Sequence, residues 1–281
     1  MSAALAPARQ LELLLAQAEI HRTDGALQWQ EWSCLGVEQG PPLVLLHGGF
    51  GSWNHWFLNI PALRQSRRVL SLDLPGLGES GDIDRAALPK EFATIVRPGL
   101  QSLLGDSAQC DLAAFSFGAM VAAEMALHLG QRCRRFTAIG AAGCGDLHVQ
   151  VALQTPPGAE VVWDKAQEIH RANLQALMFH NPAAIDEVAI YLHSINLARH
   201  RFNSRALSLR NDFLQALPLI PAQLVGVWGA FDATAGGAAA IAQRRQHFVG
   251  AQAAAEFHVL PDVGHWAMYE APRAINKILL G

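Results

Sequence analysis

Six short apolar runs, separated in most cases by stretches long enough for a helix, constrain the fold of this 281-residue chain more than any other feature. The runs lie at residues 43–46, 69–72, 112–115, 136–139, 224–228 and 257–260. A strand that is apolar along its whole length is covered on both faces. Strands alternating with helices predict an α/β fold with a mainly parallel sheet. Ligands bind such sheets at the carboxyl ends of the strands, so functional residues are expected just after each run.

The remaining chain divides around these runs. Helical spacing predicts a short amphipathic helix over residues 8–20, and alternation over residues 27–35 predicts an edge hairpin. Residues 143–217 contain no buried strand run, whereas residues 164–179 and 185–197 have helical patterns. We therefore predict an α/β core over residues 1–143 and 216–281, and a helical cap inserted at residues 144–215 that lies over the strand ends.

The amino-acid composition limits which classes of partner this protein is expected to bind. Hydrophobic residues make up 51% of the chain, enough for a large core, and 21 Lys and Arg against 24 Asp and Glu leave no basic surface for nucleic acid. The four cysteines form no C-x-x-C pair, which argues against a metal or redox motif. Neither a signal peptide nor an uninterrupted membrane span is evident. We expect a cytoplasmic protein with a small-molecule substrate, without nucleic-acid or membrane partners; a homo-oligomer is compatible with these observations.

Ser116 follows one apolar run directly and precedes a helical pattern. It stands in Ala114-Phe115-Ser116-Phe117-Gly118. Small residues two positions away on each side relieve crowding at an abrupt strand-to-helix turn and let the hydroxyl project, as at a nucleophile elbow. The structural alternative is a tight turn without chemistry.

Asp232 and His265 also follow strand runs. Asp232 closes Gly229-Ala230-Phe231-Asp232, and His265 lies in Gly264-His265-Trp266. Serine, acid and histidine in this chain order match the triad order expected on this architecture. Taken alone, Asp232 would ordinarily be interpreted as a turn or helix-cap aspartate, and His265 as a solvated loop histidine.

The segment His47-Gly48-Gly49-Phe50-Gly51 follows the first of the six runs. Its glycines allow backbone N–H groups to approach a substrate, so Gly49 and Phe50, with the N–H of Phe117, are the candidate oxyanion donors. A phosphate loop is disfavoured because neither G-x-x-x-x-G-K-[ST] nor G-x-G-x-x-G occurs there.

These segments resemble those of the α/β-hydrolase-fold superfamily over nearly the whole chain. The resemblance is carried by His47-Gly48-Gly49-Phe50-Gly51, Asp73-Leu74-Pro75-Gly76-Leu77-Gly78-Glu79-Ser80, the turn at Ser116, Gly229-Ala230-Phe231-Asp232 and Gly264-His265. It implies Ser116 as nucleophile, His265 as base and Asp232 as orienting acid, with Asp73 structural. It also implies catalysis without a metal or an organic cofactor.

Within that superfamily the chain is similar to serine esterases and to the carbon–carbon bond (meta-cleavage product) hydrolases of ring-opened aromatic dienoates. The ending Gly264-His265-Trp266-Ala267-Met268-Tyr269-Glu270 and the start His47-Gly48-Gly49 carry the second similarity. Those hydrolases commonly have asparagine where this chain has Phe115, and more glycine after the first motif. Ester hydrolysis is therefore favoured, and carbon–carbon cleavage and a non-catalytic binding protein stay open as alternatives.

Aromatic residues beside the proposed site loops favour an apolar or aromatic substrate. We expect Phe115, Trp53, Trp163 and Trp266 to contact it, although most aromatic residues in any domain are plain core. The resemblance to the carbon–carbon hydrolases implies that a cap arginine, here Arg199, holds a substrate carboxylate. The alternative for Arg199 is a solvated helix charge.

Overall fold

The computed structural model describes residues 5–156, 158 and 161–281 and contains one eight-stranded sheet. The strands are β1 (Glu19–Thr23), β2 (Leu27–Trp32), β3 (Leu43–Leu46), β4 (Val69–Leu72), β5 (Cys110–Phe115), β6 (Cys133–Ile139), β7 (Gln223–Gly229) and β8 (Glu256–Leu260). Their order in the sheet is β1-β2-β4-β3-β5-β6-β7-β8. All pairs from β4 to β8 are parallel, and β1 and β2 pair antiparallel at one edge. The expected α/β fold with a mainly parallel sheet is confirmed.

Helices connect the strands. Those in the described part of the chain are α1 (Pro7–Leu15), α2 (Ile60–Leu63), α3 (Pro89–Leu104), α4 (Phe117–Leu129), α5 (Trp163–Leu177), α6 (Glu187–Arg199), α7 (Arg205–Ser208), α8 (Asp212–Ala216), α9 (Ala238–Ala251), α10 (Ala267–Glu270) and α11 (Pro272–Leu280). No described helix is long and apolar enough to cross a membrane.

Two hydrophobic clusters cover the two faces of the sheet, which explains the predominantly apolar runs. On β3, Val44 and Leu46 belong to one cluster, whereas Leu43 and Leu45 belong to the other. Successive side chains of a strand point to opposite faces, so a strand buried on both sides is apolar at most of its positions. All six runs form strands in the structure.

The N-terminal prediction was partly wrong. The first helix ends at Leu15, and residues 19–23 form β1. The hairpin with β2 is present, but β2 also pairs with β4 and is internal, so β1 is the edge strand. Helical spacing continued past Leu15 in the sequence, but pairing with β2 extends the backbone at residues 19–23.

The interval between β6 and β7 is helical. It contains α5 to α8 and no strand among its described residues. Helices α5 and α6 match the two helical patterns read from the sequence, with bounds shifted by one or two residues. The end of α5 reaches the strand ends, where the Trp266 N–H donates to the Met178 carbonyl at 2.8 Å. The division into core and cap at residues 144 and 215 stays a prediction.

Candidate active site

Three loops at the carboxyl end of the sheet carry the candidate triad. Ser116 stands between β5 and α4, Asp232 follows β7 and His265 follows β8. The Ser116 backbone has φ 51° and ψ −119°, a conformation that L residues rarely adopt. The turn requires glycine at position 118, since a Cβ there would lie 2.2 Å from the His47 carbonyl oxygen. The backbone is therefore bent sharply at the residue whose hydroxyl enters the site.

The three side chains form a continuous hydrogen-bonded line. Ser116 Oγ lies 3.1 Å from His265 Nε2, and His265 Nδ1 lies 2.8 Å from Asp232 Oδ2. A carboxylate only accepts hydrogen bonds, so Nδ1 carries the proton and Nε2 is free to accept the hydroxyl proton. This is the geometry in which an imidazole can act as general base toward a serine.

Thr234 fixes the carboxylate from the opposite side. Its backbone N–H and its hydroxyl both donate to Asp232 Oδ1 at 2.8 Å. Burial raises the pKa of the Asp232 carboxyl, but the charge and hydrogen bond of His265 and the bonds from Thr234 outweigh it and hold the pKa below its usual range. Asp232 is therefore an anion beside the imidazole at neutral pH.

The candidate oxyanion donors lie next to Ser116. Phe117 is the first residue of α4, so its N–H has no acceptor within the helix. Gly49 and Phe50 belong to the loop after β3, and Phe50 has a φ of 54°. A Cβ on Gly49 would collide with the Ser204 hydroxyl, so the interval between β6 and β7 packs directly on this loop. Backbone N–H groups beside the hydroxyl are suited to a developing negative charge.

Two buried neutral histidines form hydrogen bonds with the loop after β3. His47 Nε2 accepts the Leu74 N–H at 2.9 Å, and its Nδ1–H donates to the Gly48 carbonyl at 2.7 Å. Burial lowers the pKa of His47 to about 4. Burial also lowers the pKa of His55, whose Nδ1 accepts the Gly48 N–H at 3.3 Å. Both neutral rings therefore fix the backbone of this loop through hydrogen bonds to Gly48.

A cavity of about 390 Å³ opens over Ser116 and His265. Phe50 and Phe115 are among its lining residues, but the Phe115 ring is fully buried, so its predicted contact with the substrate stays a prediction. Other lining residues come from the interval between β6 and β7, including Asn173, His193 and Arg205. A cavity of this size holds a small organic molecule.

Trp53 does not face the cavity, and its prediction as a substrate contact was wrong. Its ring is buried against Trp32, with ring centroids 5.4 Å apart. Its backbone N–H donates to Asp73 Oδ1 at 2.8 Å, and Asp73 Oδ2 accepts the Glu79 N–H at 3.0 Å. Asp73 therefore ties two loops together, the structural part that the resemblance implied.

Trp266 is likewise wrong as a substrate contact. The indole is 1% exposed and its Nε1–H donates to the His55 carbonyl at 2.9 Å. Although Trp266 adjoins His265 in sequence, its side chain points into the core, where it packs against Phe179 with ring centroids 5.8 Å apart.

Trp163 and Arg199 also lie away from the cavity. Trp163 begins α5, is 48% exposed, and lines a separate groove with Tyr191. Arg199 lies on the outer surface and pairs with Glu79 at 2.9 Å, with half of its side chain exposed. The arginine in the cavity wall is Arg205, and its Nη2 donates to the Val151 carbonyl at 2.7 Å.

Sequence reasoning missed Thr234, His148 and His193. Thr234 follows Asp232 by two residues, and an aspartate that accepts the N–H two residues on is a recognised turn pattern, so the signal was present. His148 and His193 line the cavity from a segment with no strand pattern, and nothing in their local sequence marks them. Among the residues that the structure describes, no group of three His, Cys, Asp or Glu side chains is arranged to hold a metal ion.

Comparison with known proteins identifies the family of the chain. The model of the "Alpha/beta hydrolase family" matches residues 43–278. A dihydrolipoyllysine-residue acetyltransferase component of an acetoin cleaving system from Pseudomonas putida is 32% identical over 266 residues, covering 89% of this chain and 65% of that protein. The chain therefore spans just under two thirds of that relative's length.

Two further similarities concern hydrolases. A 2-hydroxy-6-oxononadienedioate/2-hydroxy-6-oxononatrienedioate hydrolase from Escherichia coli is 26% identical over 257 residues, which cover 85% of each chain. The structure of a suspected aryl esterase from Burkholderia cenocepacia superposes with a TM-score of 0.70 at 18% identity, covering 94% of this chain and 96% of that one. The structural likeness shows the shared fold.

Proposed function

The chain belongs to the alpha/beta hydrolase family, and from this premise we propose that it is a serine hydrolase that cleaves a small carboxylic ester. The observation that carries the proposal is the line from Ser116 Oγ through His265 to Asp232, with separations of 3.1 and 2.8 Å. Ser116 is the nucleophile, His265 the general base and Asp232 the group that fixes the imidazole.

The reaction takes two steps. His265 Nε2 accepts the hydroxyl proton while Ser116 Oγ attacks the ester carbonyl, and the N–H groups of Gly49, Phe50 and Phe117 bind the oxyanion. Collapse of the tetrahedral intermediate breaks the bond to the leaving oxygen, which takes the proton from His265. Water, deprotonated by His265, then attacks the acyl carbonyl and releases the acid and the free Ser116 hydroxyl.

The cavity supports a substrate of modest size with an apolar or aromatic part. Phe50, Leu177 and Leu197 give apolar lining to the cavity of about 390 Å³ that contains the nucleophile. Arg205 is the one Lys, Arg, Asp or Glu on the part of its wall that the structure describes. A large, highly charged substrate does not suit this space.

Hydrolysis of p-nitrophenyl acetate and butyrate by the wild-type protein and by Ser116→Ala tests the proposal. We expect turnover in the wild type and a loss of at least about a thousandfold in Ser116→Ala, because the remaining site retains only binding and oxyanion donors. Ser102→Ala, a change in α3 whose hydroxyl bonds only to the Gly99 carbonyl, is the matched control and should be fully active. Equal activity of the wild type and Ser116→Ala would refute the proposed nucleophile.

Carbon–carbon hydrolysis of a dienoate is the second candidate. It is supported by the similarity to the Escherichia coli hydrolase and by Arg205, a guanidinium in the cavity wall that can bind a carboxylate. Turnover of a ring-cleavage dienoate by the wild type, lost in Arg205→Met while ester turnover persists, would establish it. Absence of dienoate turnover would remove it.

Acyl transfer to a thiol is a further fate for an acyl group on Ser116. It is supported by the similarity, over most of this chain, to the acetyltransferase component from Pseudomonas putida. Adding dihydrolipoamide to the ester assay separates the two outcomes, since transfer yields the thioester and hydrolysis yields only the acid. A non-catalytic binding protein would give neither product.

A further inference from the structure

The hydroxyl of Ser204 has no partner in the described part of the protein, although the residue is almost entirely buried. Ser204 directly precedes α7, is 4% exposed, and lines the cavity that contains Ser116. Its hydroxyl makes no hydrogen bond to the described residues and, unlike the unpartnered polar atoms of the core, it is not fully shielded from solvent. The hydroxyl is therefore open to whatever occupies the cavity.

Ser204 does not use this hydroxyl to cap the helix that follows it. A serine before a helix commonly has an extended backbone and accepts the N–H of the second or third helical residue. Ser204 instead has φ −80° and ψ −6°, and its side chain forms no capping bond. Its carbonyl accepts the Leu207 and Ser208 N–H groups at 3.1 and 3.3 Å. The hydroxyl therefore stays available for a ligand.

The Ser204 hydroxyl lies beside both elements that carry the candidate oxyanion donors. It is so close to Gly49 that a Cβ on that glycine would collide with it, and the Ser204 Cβ lies 3.2 Å from the same point. The Cβ of Phe117, at the start of α4, lies 3.7 Å from that point. The hydroxyl, the loop after β3 and the first turn of α4 therefore meet at one place in the cavity.

The segment that carries Ser204 is anchored to the core. The Arg201 and Phe202 N–H groups both donate to the Gly76 carbonyl, at 2.8 and 3.1 Å. The ring of Phe202 is buried and stacks on that of Phe117, with centroids 5.9 Å apart. A donor that is held in place before the reaction needs no reorganisation when charge develops beside it.

Helix α6 joins the same interval to the loop after β3. Asn196 Oδ1 accepts hydrogen bonds from the Ser52 hydroxyl and from the Asn54 amide, both at 2.9 Å, and the Asn196 amide donates to Asn54 Oδ1 at 2.8 Å. All three side chains are buried. This network links the segment that carries Ser204 to the loop that carries Gly49.

We propose that the Ser204 hydroxyl is a further oxyanion donor, supplied by the interval between β6 and β7. Its O–H donates to the ester carbonyl oxygen as Ser116 attacks and negative charge develops there. Ser204 keeps its own proton throughout, and the proton of Ser116 passes to His265. This inference rests on the proposed ester hydrolysis and adds a catalytic residue to it.

Ser204→Ala removes this donor and leaves the backbone N–H groups in place. With p-nitrophenyl butyrate we expect kcat to fall roughly 100-fold, a usual loss for one oxyanion donor, and KM to change by less than about twofold. Ser194→Ala is the matched control, because this serine of α6 is not among the cavity-lining residues and its hydroxyl bonds to the Tyr191 carbonyl at 2.8 Å. The control should keep the wild-type kcat and KM.

Inhibition by butyl trifluoromethyl ketone separates oxyanion binding from a structural effect. Ser116 Oγ adds to the ketone carbonyl, the Ser116 proton passes to His265, and the ketone oxygen becomes the oxyanion of the hemiketal. Its inhibition constant in Ser204→Ala should rise by about the factor by which kcat/KM falls. Wild-type kcat and inhibition in Ser204→Ala, or a loss confined to KM, would overturn this inference and leave the ester hydrolysis intact.

Fluorophosphonate labelling covers the case in which the wild type hydrolyses no ester tested. The phosphoryl oxygen of the adduct on Ser116 takes the place of the oxyanion, so the labelling rate reports the same donors. Labelling at least about tenfold slower in Ser204→Ala than in the wild type would support the assignment. Equal rates would overturn it, and a wild type that is neither active nor labelled would refute both the hydrolase and this inference.

Discussion

Gly140 directly follows β6 and lies against the contact between His265 and Asp232, so an alanine there tests how closely the site geometry is fixed. The Gly140 φ is 52°, where an L side chain costs about 1–2 kcal/mol. An alanine Cβ would lie 3.0 Å from His265 Nδ1 and 3.1 Å from Asp232 Oδ2. A normal nonbonded contact needs about 3.5 Å, so the imidazole or the carboxylate must move by about 0.5 Å.

The expected loss follows from these distances. A displacement of 1 Å costs about 100-fold in rate, so about half of it should lower kcat/KM roughly tenfold. The backbone cost should lower Tm by about 2–6 °C for a domain of this size. Activity is measured with p-nitrophenyl butyrate at 25 °C, and Tm by calorimetry.

Gly130→Ala is the matched control for this change. Gly130 also has a positive φ, 56°, but a Cβ there meets no atom within 4 Å. The Gly130→Ala variant should therefore have a lower Tm than the wild type but the same kcat/KM. Wild-type activity in Gly140→Ala, or an equal loss of activity in Gly130→Ala, would refute the claim that contact with the triad causes the effect.

Three further outcomes are expected. Asp232→Asn should lower kcat by about 10⁴, because the amide favours the wrong imidazole tautomer, and a steady-state assay near wild-type rates would contradict this. Arg199→Ala should change kcat/KM for esters and dienoates by less than about twofold, since this exposed ion pair contributes little; a selective loss with dienoates would restore its predicted carboxylate role. Lowering pH from 7 to 5 should destabilise the fold by about 4 kcal/mol, measured by urea unfolding. The neutral histidines His47, His148 and His193, with folded pKa values of about 4, 4 and 3, gain a proton only on unfolding in that window. Their effect outweighs the opposite effect of Asp73, whose folded pKa is about 6; constant stability would count against buried neutral rings.

The strands were predictable because burial on both faces leaves a direct signature. Residues 43–46 are apolar at every position, and the structure buries all four. The N-terminal region was harder, since residues 19–23 form a strand only through pairing with β2. Pairing partners are tertiary information that a local pattern does not contain.

The positions of Ser116, Asp232 and His265 followed from one topological rule. Parallel strands end at one edge, so a residue just after each strand is brought near the others. Substrate contacts were less predictable, because the direction of a side chain depends on packing around it. Trp266 and Trp53 adjoin site loops in sequence, yet both are buried in the core.

The interval between β6 and β7 illustrates the same limit. Its helices were recognised from their spacing, but helical spacing does not reveal which turn faces a cavity. Arg199 was proposed from the resemblance to the carbon–carbon hydrolases, whereas the arginine that lines the described part of the cavity, Arg205, lies six residues further along. His148 and His193, which also line the cavity, were unremarkable among the twelve histidines of the sequence.

The most direct test of the central claim is covalent capture of the nucleophile by a fluorophosphonate, followed by peptide mass mapping. We predict a single stoichiometric adduct on Ser116, because in the proposed mechanism His265 activates its hydroxyl beside the candidate oxyanion donors. The adduct should be absent from Ser116→Ala and should form far more slowly in Asp232→Asn. An unlabelled Ser116, or an adduct on another residue that persists in Ser116→Ala, would contradict the account.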